Sequence, residues 1–273
     1  MPFRAAVLIA AWVFGCAPPD EDVLVVDTVD TLEDDTDASV APTETGRTSD
    51  SPPTTDTVDT GPERPADVPL PGLGTLTGSC GDLTTALSDI TTASLFENSV
   101  DLGSAGFDAK ALGGAASAVL ATPNRGGSSV QSEALAMDIL ARCEGAVLLE
   151  TEGSITYDGP GPRTDLLLSI GGQKVAVSVA RAFQYPPDSV YSAEAAEELL
   201  TDKLGDMTTS GTLVSTEDAW ERHVLAVIAW NAQHAEAIVT AWGTLGQPLT
   251  ADHVVLVTTT DGSDGSVYNQ PTP

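Results

Sequence analysis

Positive charge is the scarcest commodity in this sequence. Eleven Lys and Arg stand against 40 Asp and Glu in 273 residues, a net charge of −29. A surface that acidic repels phosphate backbones and disfavours nucleic acid as a partner. Aromatic residues are also few, at 5% of the chain, as when a long unfolded segment dilutes a folded one. Three cysteines are too few for a disulfide-dense scaffold. They form no C-x-x-C pair, which argues against thiol redox catalysis and a zinc knuckle. No apolar run reaches the ~18 residues of an ordinary membrane-spanning helix. There is no G-x-S-x-G for a serine-hydrolase elbow. The glycine pairs Gly113-Gly114 and Gly126-Gly127 lack both the P-loop Lys and the G-x-G-x-x-G spacing. Asp261-Gly-Ser-Asp-Gly265 lacks the ligand set of a calcium loop and reads as a turn.

The first residues have the anatomy of an export signal. Arg4 supplies a positive start, Ala5 to Phe14 an apolar stretch, and small Gly15 precedes Cys16. The stretch Val-Phe-Gly-Cys resembles the bacterial lipobox, with aliphatic Val13 three residues before the cysteine. By that resemblance residues 1–16 are a lipoprotein signal peptide. Cys16 is then acylated, palmitate among the chains, and holds the protein on a lipid bilayer. A plain secretory signal is the weaker alternative. Ala17, with no Asp after the cysteine, resembles the sorting signal for an outer membrane. The expected location is the bacterial cell envelope.

Residues 17–77 hold 15 of the 40 acidic residues, nine prolines and twelve threonines, with no aromatic and only Arg47 and Arg64 as cations. Such a segment cannot bury enough apolar surface to offset its chain entropy, and like charges extend it. It reads as a disordered acidic stalk. DTVDT occurs twice, at 27–31 and 56–60, too little to make a structural repeat.

Residues 78–273 read as a single folded domain, long enough for one good core. It carries 25 acidic and 8 basic residues, so the stalk alone does not account for the charge. Cys80 and Cys143 are the thiols left once Cys16 is lipidated. An even pair in an exported chain favours a disulfide over two buried thiols.

Periodicity predicts a helix over Leu83 to Phe96, a weak helix over 108–121, and a helix capped at Ser128 or Ser129 running to Arg142. Strands follow at Ala146 to Thr151, Thr164 to Ile170 and Lys174 to Arg181, the last two joined by a Gly171-Gly172 hairpin. Ser192 caps the next helix. A long amphipathic helix is predicted over 218–243, with Trp220, Val224, Val227, Asn231, Ala235, Ile238 and Trp242 as its stripe. His223 and His234 on that helix lie ~16 Å apart, too far to share a metal. His253 to Thr260 is a strand, its histidine facing solvent, and a polar tail follows. Trp220, Trp230 and Trp242 read as packing residues. The order implies an α/β fold, a mixed central sheet flanked by helices.

Around the hairpin the sequence resembles the restriction-endonuclease-like, PD-(D/E)XK superfamily. That core runs α-β-β-β-α-β, with an acidic residue on the first helix, Asp on the second strand and Glu-x-Lys on the third. The resemblance covers about residues 128–260. It places Glu133 on the helix and Asp165 at the second strand. It places Ser178 where the third-strand acid belongs and Ala180 where the Lys belongs, with Arg181 the nearest base. VSVARAF at 177–183 is also similar to a branch whose third strand reads V-(E/S)-V-x-R-A.

Active members use the acids to hold Mg²⁺ and the Lys to position water. With Glu and Lys both replaced, the resemblance implies a pseudoenzyme that uses neither metal nor other cofactor and binds an unknown protein partner. A metal-dependent phosphodiesterase with a rearranged site and Mg²⁺ is the alternative.

Overall fold

A computed structural model describes residues 67–268, apart from 90–91, 124–128, 188 and 247–249. Cys16 and the acidic stretch up to residue 66 lie outside the described residues. Eight strands form one mixed sheet: β1 (Val68–Leu70), β2 (Gly74–Gly78), β3 (Ser94–Asp101), β4 (Val147–Thr151), β5 (Leu166–Ile170), β6 (Gln173–Ala182), β7 (Arg222–Ala229) and β8 (His253–Asp261). Their order is β1-β2-β3-β8-β7-β6-β5-β4. The middle four run parallel, and the outer strands pair antiparallel on both sides. Five helices flank it: α1 (Leu83–Ser88), α2 (Gly114–Ala121), α3 (Val130–Glu144), α4 (Ala193–Leu213) and α5 (Ala232–Thr244).

Alternation along the strands divides the core. On β7, Val224, Ala226 and Ile228 pack toward α1, α2 and α3, while Leu225, Val227 and Ala229 pack toward α4 and α5. A strand buried on both faces reads as a continuous apolar run rather than an alternating one. That corrects the helix expected over 218–243. Its first half is β7, and only Ala232–Thr244 is helical. The break falls at Asn231, whose side chain accepts from the His234 backbone N–H at 3.0 Å and caps α5.

Three further expectations are corrected. The helix over Leu83 to Phe96 stops at Ser88, and Ser94 opens β3. The fold also starts before residue 78. Leu70, Leu73 and Leu76 of the β1–β2 hairpin are at most 1% exposed, so the stretch expected to be stalk carries core residues. Prolines and glycines in VPLPGLGTLTG disguise two very short strands. One of the glycines is required: Gly74 has φ +116°, and a Cβ there would sit 1.8 Å from the Asp101 carbonyl oxygen. At the other end the tail is not simply polar. Val267 and Tyr268 are buried, and the Ser132 hydroxyl donates to the Val267 carbonyl at 2.7 Å.

Cys80 and Cys143 are joined by a disulfide spanning 63 residues. Beside it the Glu144 carboxylate accepts from the N–H groups of Gly81 and Leu83 at 2.7 and 3.1 Å. Together they tie the start of α1 to the last turn of α3. Among the described residues no helix is long and apolar enough to cross a membrane.

Candidate functional site

Glu133 stands in the first turn of α3, where Ser129, the N-cap residue, donates its hydroxyl to the Glu133 carboxylate at 2.6 Å. Asp165 immediately precedes β5. Glu152 follows β4, and its N–H donates to the Asp165 carbonyl at 2.8 Å. The three side chains line one small cleft, of about 20 Å³, together with Val119, Thr122 and Pro123. The fold therefore brings Glu133 and Asp165 together across 32 residues of chain. Glu152 was missed by the sequence reading, because nothing local distinguishes it from any acid at a strand end.

Burial and the neighbouring Glu133 charge push the Asp165 carboxyl up to about 7, against the Val179 N–H and the more distant Lys203, which lower it. Although the residue is only half-buried, its carboxyl group is packed in protein, and Oδ2 accepts from the Val179 N–H at 2.6 Å. The carboxyl is therefore held toward its neutral form. Glu133 is also raised, first by burial and less by Glu152, while Ser129 and Arg181 act the other way.

The other two predicted residues do not line this cleft. Ser178 lies on β6, 5% exposed, in register with Leu225 of β7. Ala180 packs into the core beneath α4 and α5. Arg181 lines a separate groove with Tyr191 and the α4 residues Glu198, Asp202 and Lys203, yet it stands close enough to lower Glu133. Among the described residues no group of three His, Cys, Asp or Glu side chains is arranged to hold a metal ion.

The histidines fall elsewhere than expected. His223 is on β7 and His234 on α5, so they do not share a helix. His253 does not face solvent: it is 3% exposed, and its ring lies 5.1 Å from that of His223. Burial first, then His253 and Arg222, pulls His223 down to about 3. Burial chiefly, aided by Arg222 against an opposing Asp252, pulls His253 to about 4. Both folded values lie below the ordinary 6.5, so the unfolded chain takes up protons that the folded chain refuses. Their contribution to stability is complete above pH 6.5 and declines as pH falls toward 4. Asp165, raised, acts with the opposite sign between about 4 and 7. The imidazole resonances of His223 and His253 should therefore not titrate in NMR spectra between pH 7.5 and 5. Replacing His253 by Asn should flatten the loss of urea resistance over the same range. A midpoint near 6.5 for either ring would show that these histidines are solvated.

Comparisons with known proteins add little. No family model matches the chain, and no solved structure matches it. The AAC-rich mRNA clone AAC4 protein of Dictyostelium discoideum is 34% identical over 149 residues, 51% of this chain. The matched stretch spans only 21% of that relative's length.

Proposed function

We propose that this protein is an exported lipoprotein, held at a bacterial outer membrane through acylated Cys16, whose nuclease-like domain binds rather than cuts. Two features support the nuclease-like reading of residues 128–260. The order α3-β4-β5-β6-α4-β7 follows the α-β-β-β-α-β order of that superfamily. Glu133 and Asp165 line one cleft. The Cys80–Cys143 disulfide supports export instead, because it suits an oxidising compartment outside the cytosol.

The observation that carries the non-catalytic reading is the cleft itself. At about 20 Å³ it has room for roughly one water, not for a scissile phosphodiester. The Asp165 carboxyl within it is held toward its neutral form by burial and committed to the Val179 N–H, which makes it a poor Mg²⁺ ligand. A domain of strongly negative charge further weakens association with nucleic acid.

One observation favours the alternative, a metal-dependent phosphodiesterase. Lys203, on α4, lowers Asp165 and offers a positive charge in place of the motif's Lys, where Ala180 stands. Calorimetric titration of the full chain with Mn²⁺ separates the two readings. No saturable heat is expected up to millimolar Mn²⁺, in the wild type or in Asp165→Asn. Saturable micromolar binding that Asp165→Asn abolishes would establish a metal site and reinstate the enzyme.

A further inference from the structure

A second crevice bordering the sheet lies away from the Asp165 cleft and shares none of its lining residues. It opens where β3, β8 and β7 end, all pointing the same way. From β3 the chain leaves for α2, which packs on one face of the sheet. From β7 it leaves for α5, which packs on the other. The end of β8, between them, is left uncovered by either helix. Crevices at the carboxyl ends of parallel strands, where the chain departs to opposite faces, are the usual ligand sites of such sheets. This one encloses about 500 Å³, within the range of small-molecule sites.

We infer that this crevice is a binding site for a neutral, hydroxyl-rich ligand, a saccharide ring, gripped between Trp230, Asn231, Asp261 and Asp264. Ser99 of β3 and Thr259 of β8 contribute hydroxyls to its lining. Trp230 forms an aromatic wall, its ring held edge-on by Phe183 and Tyr268 at centroid distances of 5.2 and 4.9 Å. The Asn231 carbonyl oxygen is occupied by the backbone N–H and the Nδ1 of His234, at 3.0 and 2.7 Å. Its amide NH₂ is left to donate. Next to it the N–H of Ala232, first in α5, has no acceptor within the helix.

Acceptors line the same crevice. Asp264 is 6% exposed and accepts a hydrogen bond from the Thr260 hydroxyl at 2.6 Å, shorter than that hydroxyl's 3.3 Å contact with the Ala229 carbonyl. Thr260 has one proton to give, so Tyr268 is the donor in the 2.8 Å contact between their oxygens. That chain, Tyr268 to Thr260 to Asp264, fixes the carboxylate in place. Asp261, exposed at the end of β8, adds a second carboxylate.

Charge and hydrogen-bond capacity select the ligand class. Two carboxylates repel an anion, despite the helix N-terminus. A polyamine would satisfy the carboxylates but leave the Asn231 and Ala232 donors unanswered. A sugar hydroxyl both donates and accepts, and a ring's C–H face packs on an aromatic side chain. The inference does not rest on the reading of the Asp165 cleft.

The test is titration of the full chain with glucose, galactose, mannose and N-acetylglucosamine, followed by calorimetry and tryptophan fluorescence. Inorganic phosphate and spermidine serve as competing probes. At least one sugar should bind saturably with a Kd of roughly millimolar or below. Asp264→Asn should weaken it about tenfold or more. Asp261→Asn, at an exposed position, should do the same without risk to folding, while Asp165→Asn should leave binding unchanged. The inference is overturned if no sugar binds a folded sample, if phosphate or spermidine binds more tightly than every sugar, if both crevice variants bind like wild type, or if Asp165→Asn abolishes binding.

Discussion

Deleting residues 67–77 is expected to abolish cooperative unfolding of the domain. The segment carries Leu70, Leu73 and Leu76, each at most 1% exposed. Burying a leucine fully is worth about 1.5–3 kcal/mol, so the three together supply roughly 5–9 kcal/mol. Whole domains are stable by only about 5–15 kcal/mol. The deletion also strips β2 from β3 and leaves a bare sheet edge, a template for aggregation. Thermal denaturation followed by circular dichroism, on the full chain and on the chain lacking these residues, reads the effect directly. A sharp transition at an unchanged temperature would mean that the hairpin adds nothing and that residue 78 is the true boundary after all.

Asp138→Ala should cost about 1.5–3 kcal/mol, the range for losing a hydrogen bond to a charged group and leaving a buried donor unpaired. Asp138 is 1% exposed. One oxygen accepts from the Gly113 N–H at 2.7 Å. The other makes an ion pair with Arg142 Nε at 2.7 Å, without the alignment of a hydrogen bond. Arg142 in turn donates to the Ala111 carbonyl at 3.0 Å. The carboxylate therefore pins the start of α2 to the middle of α3. Without it, the Gly113 N–H loses its acceptor and the partly exposed Arg142 guanidinium loses its anion. Urea unfolding of Asp138→Ala, Arg142→Ala and the double variant measures this. The double variant should be less unstable than the sum of the singles, because no charge is then stranded. A loss below about 1 kcal/mol in Asp138→Ala would show that α2 docks by apolar contact alone.

Local signals made several elements legible. Gly171-Gly172 announces a tight hairpin, and both glycines have positive φ. Ser192 accepts from the Ala195 N–H at 3.1 Å, the cap expected from its place before a helix-forming run. These features are decided by one residue's backbone freedom or one hydrogen bond, so a window of sequence contains them.

The Asp165 cleft was half legible. Glu133 and Asp165 were named by resemblance to a motif, whereas Glu152 joins them only because β4 pairs with β5. The crevice proposed for a saccharide was not legible in the sequence. Its lining comes from residues 99, 230–232, 259–262 and 264; of these, Trp230 read as a packing residue and Asp261 to Asp264 as a turn.

By itself, the sequence determined the α/β class, the caps and hairpin, the pair of cysteines able to bridge, and the acidic character of the chain. Each follows from composition, side-chain period or the conformational limits of a single residue. Only the tertiary structure decided that RHVLAVIA is a strand, that VPLPGLGTLTG belongs to the core, and that two histidines 30 residues apart lie with their rings side by side. The physical reason is common to all three. A segment buried on both faces or paired with distant chain takes its conformation from its partners, and its own pattern is compatible with more than one.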